Sequence, residues 1–269
     1  IMPCSAKKYE AGRPEMNSSG YQDVDYVLTT RECAQMIKEA GINLAIMPDE
    51  DFDNPLGIST GAGVIFGVTG GVMEAALRTA YAVITGREME DLEVTAVRGM
   101  EGVRAAEIDI DGLKLKAAVA HGLANARQLM DDIKDGKAEY HFIEVMACPG
   151  GCLGGGGQPL PNTPEKRKAR AGAIYSVDAN MPMRKSHENP AIKALYEEFL
   201  GEPLGHKSHK LLHTHYNARS PYMGIVEEES SLVGGSITDL SAKAACLAGR
   251  FFLQTRIANA YQSHGGAGF

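Results

Sequence analysis

The sequence has no tryptophan, few aromatic residues and no long apolar run. No apolar stretch approaches the roughly 18 residues that a bilayer span requires, and no signal segment is recognisable at the start of the chain. The sequence therefore predicts no membrane span and a cytoplasmic location. A formal net charge of −7 argues against nucleic acid as a main partner. The 269 residues, 44% of them hydrophobic, are enough to bury a sizeable core in one large domain or two smaller ones.

Cysteine is scarce, and its distribution is informative. The odd count and irregular spacing argue against the disulfide framework of a secreted protein. In a reducing compartment, clustered cysteines more often bind metal or carry out redox chemistry. The five positions are Cys4, Cys33, Cys148, Cys152 and Cys246.

Apolar runs of strand length alternate with segments of helical pattern, which predicts an α/β fold with a partly parallel sheet. A hairpin is expected where the turn Asp111-Gly112 joins two apolar runs. The predicted strands are 42–47, 63–68, 94–98, 105–110, 113–120 and 140–146. The predicted helices are 30–40, 72–84, 122–134, 164–177, 190–200 and, near the end of the chain, 240–261.

The stretch MACPGGCLGGGG places Cys148 and Cys152 four residues apart, directly after a predicted strand. Iron–sulfur clusters need soft thiolate ligands, and glycines allow the backbone to approach inorganic sulfide and to offer N–H donors. A surface loop with two free thiols is the simpler alternative. A phosphate-binding loop is disfavoured because no Gly-Lys-Ser/Thr follows, and a zinc site would require a second Cys or His pair.

Cys4 offers a third thiol, whereas Cys33 and Cys246 are interpreted as small buried hydrophobic residues. The candidate site is thus one cysteine short of the four ligands that a cubane cluster normally takes. A second candidate, the dense histidine segment His206, His209, His213 and His215, could bind metal.

MPCSAKKYE (residues 2–10) and FIEVMACPGGCLGGGGQP (142–159) resemble the second and third signature motifs of the FeFe-hydrogenases. Residues 61–81 and 205–216 are also similar to that family, and for the latter the resemblance implies a docking segment. The family's first signature, a Thr-Ser-Cys-Cys-Pro stretch, is missing, so we expect the chain to begin inside a larger protein. The resemblance implies that residues 1–216 form the C-terminal part of the catalytic domain, followed by a partly helical tail of unknown role (217–269). This part would be one lobe of a two-lobed domain, with a mostly parallel sheet flanked by helices.

The resemblance also implies a cofactor, the H-cluster, in which a 4Fe–4S cubane is joined to a diiron unit carrying carbonyl, cyanide and a dithiolate bridge. By motif position, Cys4 and Cys148 would bind the cubane. Cys152 would bind the cubane and bridge to the diiron unit, and the fourth cysteine would come from the missing upstream segment.

Further residues around the cofactor follow from the same resemblance. Lys7 would donate a charge-assisted hydrogen bond to a cyanide ligand, and the N-terminus of the helix after Gly70-Gly71 would point at the anionic cofactor. The expected catalytic residues are Cys152, Lys7, Met146 and Met2. The remaining contacts would come from the glycines behind the cluster, Gly151 among them, and from the apolar residues Met2, Met146, Phe66 and Val72.

The implied reaction is the reversible oxidation of dihydrogen to two protons and two electrons. The implied partners are the upstream half of the catalytic domain, in the same or a separate chain, and iron–sulfur electron-transfer domains or subunits, with ferredoxin or NAD(P) as the electron carrier. Two alternatives remain open. One is a non-enzymatic Narf-like iron–sulfur assembly protein that holds only the 4Fe–4S cluster, and the other is a hydrogen-sensing relative.

Overall fold

The computed structural model describes residues 1–54 and 56–217. In this part of the chain a three-stranded sheet is formed by β1 (Val103–Ile110), β2 (Leu113–His121) and β3 (Phe142–Met146). β1 and β2 form an antiparallel hairpin through Asp111-Gly112, whose backbones both take positive φ. β3 returns parallel to β2, after a crossover helix.

Helices surround the sheet, and their ends follow local chemistry. α2 begins with a capping box in which Thr29 and Glu32 satisfy each other's backbone N–H groups. α4 runs between two glycines with left-handed backbone, Gly70 and Gly86. The eight α-helices described are α1 (Ala6–Ala11), α2 (Thr30–Glu39), α3 (Gly61–Ile65), α4 (Gly71–Thr85), α5 (Leu123–Lys134), α6 (Pro164–Asn180), α7 (Pro190–Leu195) and α8 (His206–Leu212).

The sheet is covered on both faces. Because successive strand residues point to opposite faces, Val119 of β2 packs with Met73 and Leu77 of α4, whereas Ala118 and Ala120 pack with Leu129 of α5. A separate apolar contact joins α3 and α6. These contacts bury the small β2 side chains almost completely.

A buried ion network links α4 to α6. Arg78 of α4 is fully buried and donates to Glu74 at 2.7 Å and to both carboxylate oxygens of Asp178 on α6 at 2.8 Å. Arg98 donates to Glu74 at 2.8 Å, and Arg184 donates to Asp178 at 2.7 Å. Every buried charge in this network therefore has an opposite partner, which offsets its desolvation.

The α/β class is confirmed, as are the predicted helices within the described residues and the hairpin. The sheet of the described residues contains one parallel and one antiparallel pairing, so it is less parallel than the resemblance implied. The helix expected at 240–261, and Cys246 within it, lie outside the described residues. No helix of the described residues is long and apolar enough to cross a bilayer.

Three predicted strands are wrong. Residues 63–65 belong to α3 and 66–68 to the turn after it, because the Thr60 side chain caps a helical turn that buries Gly61, Ala62 and Ile65. Residues 42–47 contain a 3-10 turn capped by Asn43, with exposed apolar side chains. Residues 94–98 form another 3-10 turn that buries Val97 alone. Short apolar runs carry no periodicity that separates a strand from a helical turn.

Candidate metal centre

Cys148 and Cys152 lie on a tight turn that follows β3, here called the cysteine turn (residues 148–157). The N–H of Gly151 donates to the Cys148 carbonyl at 3.0 Å, and the N–H of Gly155 donates to the Cys152 carbonyl at 2.8 Å. Gly151 has a φ of 94°, which strongly favours glycine. These two hydrogen bonds help to fix the conformation of the turn, and both thiols are free and half-buried.

A second segment, here called the contact loop (residues 67–70), holds the cysteine turn through backbone hydrogen bonds. Leu153 donates its N–H to the Gly67 carbonyl at 3.0 Å, and Thr69 donates its N–H to the Gly150 carbonyl, also at 3.0 Å. The approach is so close that a Cβ on Gly151 would lie 2.6 Å from the Thr69 nitrogen. Gly151 is therefore required at this position by contact as well as by backbone conformation.

The glycines after Cys152 bring the start of the chain to the same place. Gly157 donates its N–H to the Pro3 carbonyl at 3.2 Å. A Cβ on Gly155 would lie 1.9 Å from the Pro3 carbonyl oxygen, and one on Gly157 would lie 2.9 Å from the Cys4 nitrogen. These glycines thus allow the backbone at Cys4 to pack directly against the cysteine turn.

The three thiols lie within electrostatic reach of one another. Burial raises the pKa of Cys152, and the neighbouring Cys148 and Cys4 raise it further. Burial and Cys4 likewise raise the pKa of Cys148. Three thiols that disfavour one another's ionisation can all ionise when a cationic metal group neutralises them. Because the donor set is soft and half-buried, it fits an iron–sulfur cluster.

Lys7 lies on α1, one turn after Cys4. Its positive charge opposes the rise in the pKa of Cys152, which places the ammonium group within electrostatic reach of that thiol. In this structure Lys7 forms an ion pair with Glu10. No pattern in the sequence predicted α1, a helix of only six residues.

The apolar residues expected around the cofactor differ in exposure. Met146, the last residue of β3, is buried, and Val72 in the first turn of α4 is half-buried. Phe66 is 43% exposed and Met2 is 36% exposed. Phe66 and Val72 flank the contact loop, and the backbone of Met2 is paired with that of Thr29.

The N-terminus of α4 already holds an anion from its own chain. The carboxylate of Glu144 on β3 accepts from the N–H of Gly70 at 2.6 Å and from the N–H of Met73 at 2.8 Å. Sequence reasoning missed Glu144. A signal was present, since Glu144 alternates with Phe142 and Met146 and so lies on the buried face of β3.

His121 is a second residue that sequence reasoning missed. It lies at the end of β2, and its Nδ1 accepts from the N–H of Gly150 at 3.2 Å. Its Nε2 lies 3.1 Å from the Met100 carbonyl and therefore carries the proton. His121 thus fixes the backbone between the two cysteines.

Other polar clusters do not form a metal site in the described structure. In the histidine segment, the rings of His209 and His213 stack with centroids 4.4 Å apart. Glu88, His187 and Glu188 lie close together, but the Lys185 ammonium is paired with both carboxylates. A cation of the protein itself thus occupies the position that a metal ion would take.

Two family models match this chain. Residues 1–156 match the iron-only hydrogenase large subunit, C-terminal domain, and residues 164–219 match the iron hydrogenase small subunit. The first match covers more than half of the chain and contains all three clustered cysteines. The chain belongs to the iron-only hydrogenases. The boundary between the two matches falls between the cysteine turn and α6.

Individual iron-only hydrogenases are also similar to this chain. The NADP-reducing hydrogenase subunit HndD of Solidesulfovibrio fructosivorans is 56% identical over 220 residues, which are 81% of this chain and 37% of HndD. A solved structure of a variant of the FeFe-hydrogenase HydA1 from Chlamydomonas reinhardtii is 43% identical, with a TM-score of 0.65 over 80% of this chain and 62% of that one. The chain thus spans only part of the hydrogenases that it matches.

A more distant group is formed by iron–sulfur assembly proteins. The cytosolic iron–sulfur assembly component 3 of Rattus norvegicus is 33% identical over 227 residues, which are 81% of this chain and 47% of that protein.

Proposed function

We propose that this chain is the C-terminal part of an FeFe-hydrogenase catalytic domain and takes part in the reversible oxidation of dihydrogen to two protons and two electrons. The observation that carries this proposal is the convergence of the Cys4, Cys148 and Cys152 thiols in one half-buried site. The identity of 56% to HndD exceeds the 33% to the cytosolic iron–sulfur assembly component 3 of Rattus norvegicus, which supports a hydrogenase over an assembly protein.

In this proposal Cys4 and Cys148 hold a 4Fe–4S cubane, and Cys152 holds the cubane and the adjoining diiron unit. A fourth cysteine comes from an upstream segment in the same or a separate chain. When bound, this H-cluster supplies the activation of dihydrogen and the electron transfer. The protein fixes the ligands through the two glycine-dependent contacts of the cysteine turn, at the contact loop and at Pro3.

The neighbouring residues tune and enclose this site. Lys7 supplies a positive charge beside Cys152 and donates a hydrogen bond to a cyanide ligand. Because Lys7 is paired with Glu10 in this structure, Glu10 competes with the cofactor for the ammonium group. Met2, Met146, Phe66 and Val72 form the apolar surroundings that exclude water, and Gly151 allows the backbone to pass close behind the cluster.

Electrons reach such a site through iron–sulfur domains or subunits. The name of HndD, an NADP-reducing hydrogenase subunit, supports a nicotinamide-linked partner over free ferredoxin. We further propose a cytoplasmic location, where nicotinamide carriers and reduced thiols are available. Residues 1–216 would act as one unit, with 217–269 as a separate tail.

The proposal is tested by an anaerobic infrared spectrum of this chain together with the rest of its catalytic domain, after cofactor loading. We expect bands of iron-bound carbonyl and cyanide, and we expect Cys152→Ala to lose them together with hydrogen turnover. Cys33→Ala is the matched control because Cys33 lies on α2, outside the three-thiol site, and its spectrum should equal that of the wild type. Iron and sulfide without these bands would instead support an assembly protein that holds the cubane alone.

A second variant tests the lysine. Lys7→Met keeps most of the length of the unbranched side chain and removes its charge, so we expect the fold to persist and the diiron unit to be retained poorly. The far-ultraviolet circular dichroism of the variant should match that of the wild type while its carbonyl and cyanide bands weaken. A Lys7→Met protein with full band intensity and full turnover would contradict the role of Lys7.

A further inference from the structure

Glu144 is a buried carboxylate that the proposed chemistry does not use. Its side chain lies on the inner face of β3, and the residue is only 6% exposed. Each carboxylate oxygen accepts a backbone N–H, one from Gly70 and one from Met73. These donors belong to the N-terminus of α4, where the helix dipole favours a negative charge.

The hydrogen bonds of Glu144 extend to the cysteine turn in two steps. Gly70 is the last residue of the contact loop, and that loop exchanges backbone hydrogen bonds with Gly150 and Leu153 on either side of Cys152. Glu144 thus binds the backbone of the contact loop at Gly70. The contact loop in turn binds the backbone of the cysteine turn at Gly150 and Leu153. β3 itself continues into Cys148, so one strand bears both the anchor and the start of the ligand segment.

Glu144 also lies within electrostatic reach of the thiol of Cys152. Burial raises the pKa of Glu144, and the amides at the α4 N-terminus and the Arg104 guanidinium oppose that rise. Arg104 donates to neutral acceptors, among them the Thr69 hydroxyl at 3.2 Å. The field of Glu144 reaches Cys152, where it disfavours added negative charge.

We propose that Glu144 is a positioning residue of the cluster site, which locks the contact loop onto the cysteine turn and keeps the reduction potential of the bound cluster low. Reduction adds an electron to the cluster, and a nearby buried negative charge makes that electron less favourable. The inference rests on the proposed function, because it requires a cluster on the three cysteines.

The test is an electron paramagnetic resonance redox titration of the cubane in the complete catalytic domain. Glu144→Gln keeps the shape and removes the charge, so its midpoint potential should shift to a more positive value. Glu144→Asp keeps the charge and should stay closer to the wild type than Gln does. Glu107→Gln, an exposed change on β1, is the matched control and should leave the potential unchanged.

The outcomes separate the two proposals. A wild-type protein that binds no cluster overturns the proposed function and this inference together. A wild-type protein that binds the cluster while Glu144→Gln has an unshifted potential, or while Asp shifts it as far as Gln does, overturns this inference alone.

If Glu144→Gln does not fold, a second variant, which should shift the midpoint potential in the opposite direction, tests the inference. Arg104→Gln removes the positive charge that partly compensates Glu144, so the midpoint potential should shift to a more negative value. An unchanged or more positive potential in that variant would overturn the inference.

Discussion

The cysteine turn and the contact between α4 and α6 are both well packed, but different groups hold them together. Around the cysteine turn most of the hydrogen bonds are between backbone atoms, and glycines permit the close approach. Between α4 and α6 the bonds are formed by charged side chains, with Arg78 between Glu74 and Asp178. Because backbone atoms stabilise the cysteine turn, its side chains are free to bind ligands. In the contact between α4 and α6 the charged side chains already bind one another.

The largest effect on stability is expected when the central residue of the ion network is removed. Arg78→Met leaves two buried carboxylates with fewer partners, and we expect a loss of about 3–5 kcal/mol in the free energy of unfolding. Urea unfolding measures this loss. The matched control is Arg87→Met. In the wild type Arg87 pairs with Asp111, both side chains are 60% exposed, and the pair should contribute less than about 1 kcal/mol. Equal losses in the two variants would show that the network does not stabilise the joint.

The second prediction concerns the backbone contact at Pro3. Gly155 has a φ of −64°, which any residue adopts, so Gly155→Ala acts through contacts of its Cβ, above all with the Pro3 carbonyl oxygen at 1.9 Å and also with the Cys152 carbonyl oxygen at 2.9 Å. We expect a cost of about 1–3 kcal/mol and a loss of bound iron after anaerobic reconstitution, because Cys4 is displaced.

Gly156→Ala is the natural control for that variant. Its added Cβ would meet only the Ser5 hydroxyl at 3.3 Å, which can rotate away. The iron content of the Gly156 variant should therefore equal that of the wild type. If both variants lost iron equally, the contact with Pro3 would not be what places Cys4.

The third prediction uses low pH to weaken the ion network between α4 and α6. Burial opposes ionisation of Asp178, but hydrogen bonds from Arg78 and Arg184 outweigh burial and lower its pKa to about 2, from an ordinary 3.8. The resulting stabilisation, about 2 kcal/mol, is present above pH 4 and is lost as the pH falls toward 2. Urea unfolding at a series of pH values should show this loss in the wild type and a smaller one in Arg184→Gln. A slope that Arg184→Gln leaves unchanged would contradict the assignment.

The smallest expected effect is at the cap of α2, beside the cysteine turn. Thr29→Ala removes the side-chain half of the capping box and the hydrogen bond from the Thr29 hydroxyl to the Glu32 carboxylate, at a cost of about 1 kcal/mol. Thr163→Ala at the cap of α6 removes a single bond to Lys166 and should cost less. Thermal unfolding compares the two variants, and a larger loss at Thr163 would show that the capping box adds nothing.

Of these two regions, the sequence predicts the cysteine turn but not the ion network. The cysteine turn was predictable because its ligands and glycines are neighbours in the chain and match a long motif. The ion network was not, because Arg78 and Asp178 are a hundred residues apart and each resembles an ordinary surface charge. Glu144 was missed for a related reason, since its partners are backbone amides of another segment, which no side-chain pattern reveals.

The elements show the same division. Helices of three or more turns with a helical pattern of apolar residues, such as α2 and α5, were predicted to within about two residues. The short apolar runs at 42–47, 63–68 and 94–98 were misassigned, because tertiary neighbours rather than periodicity decide their conformation.

The short connection between the cysteine turn and α6 has a consequence for assembly. The segments that match the large-subunit and small-subunit families are separated here by only seven residues, 157–163. A tether of that length presents α6 to α3 and α4 at a high effective concentration, in a fixed one-to-one ratio. Docking that would otherwise depend on the encounter of two polypeptides becomes a first-order step, insensitive to how dilute the protein is.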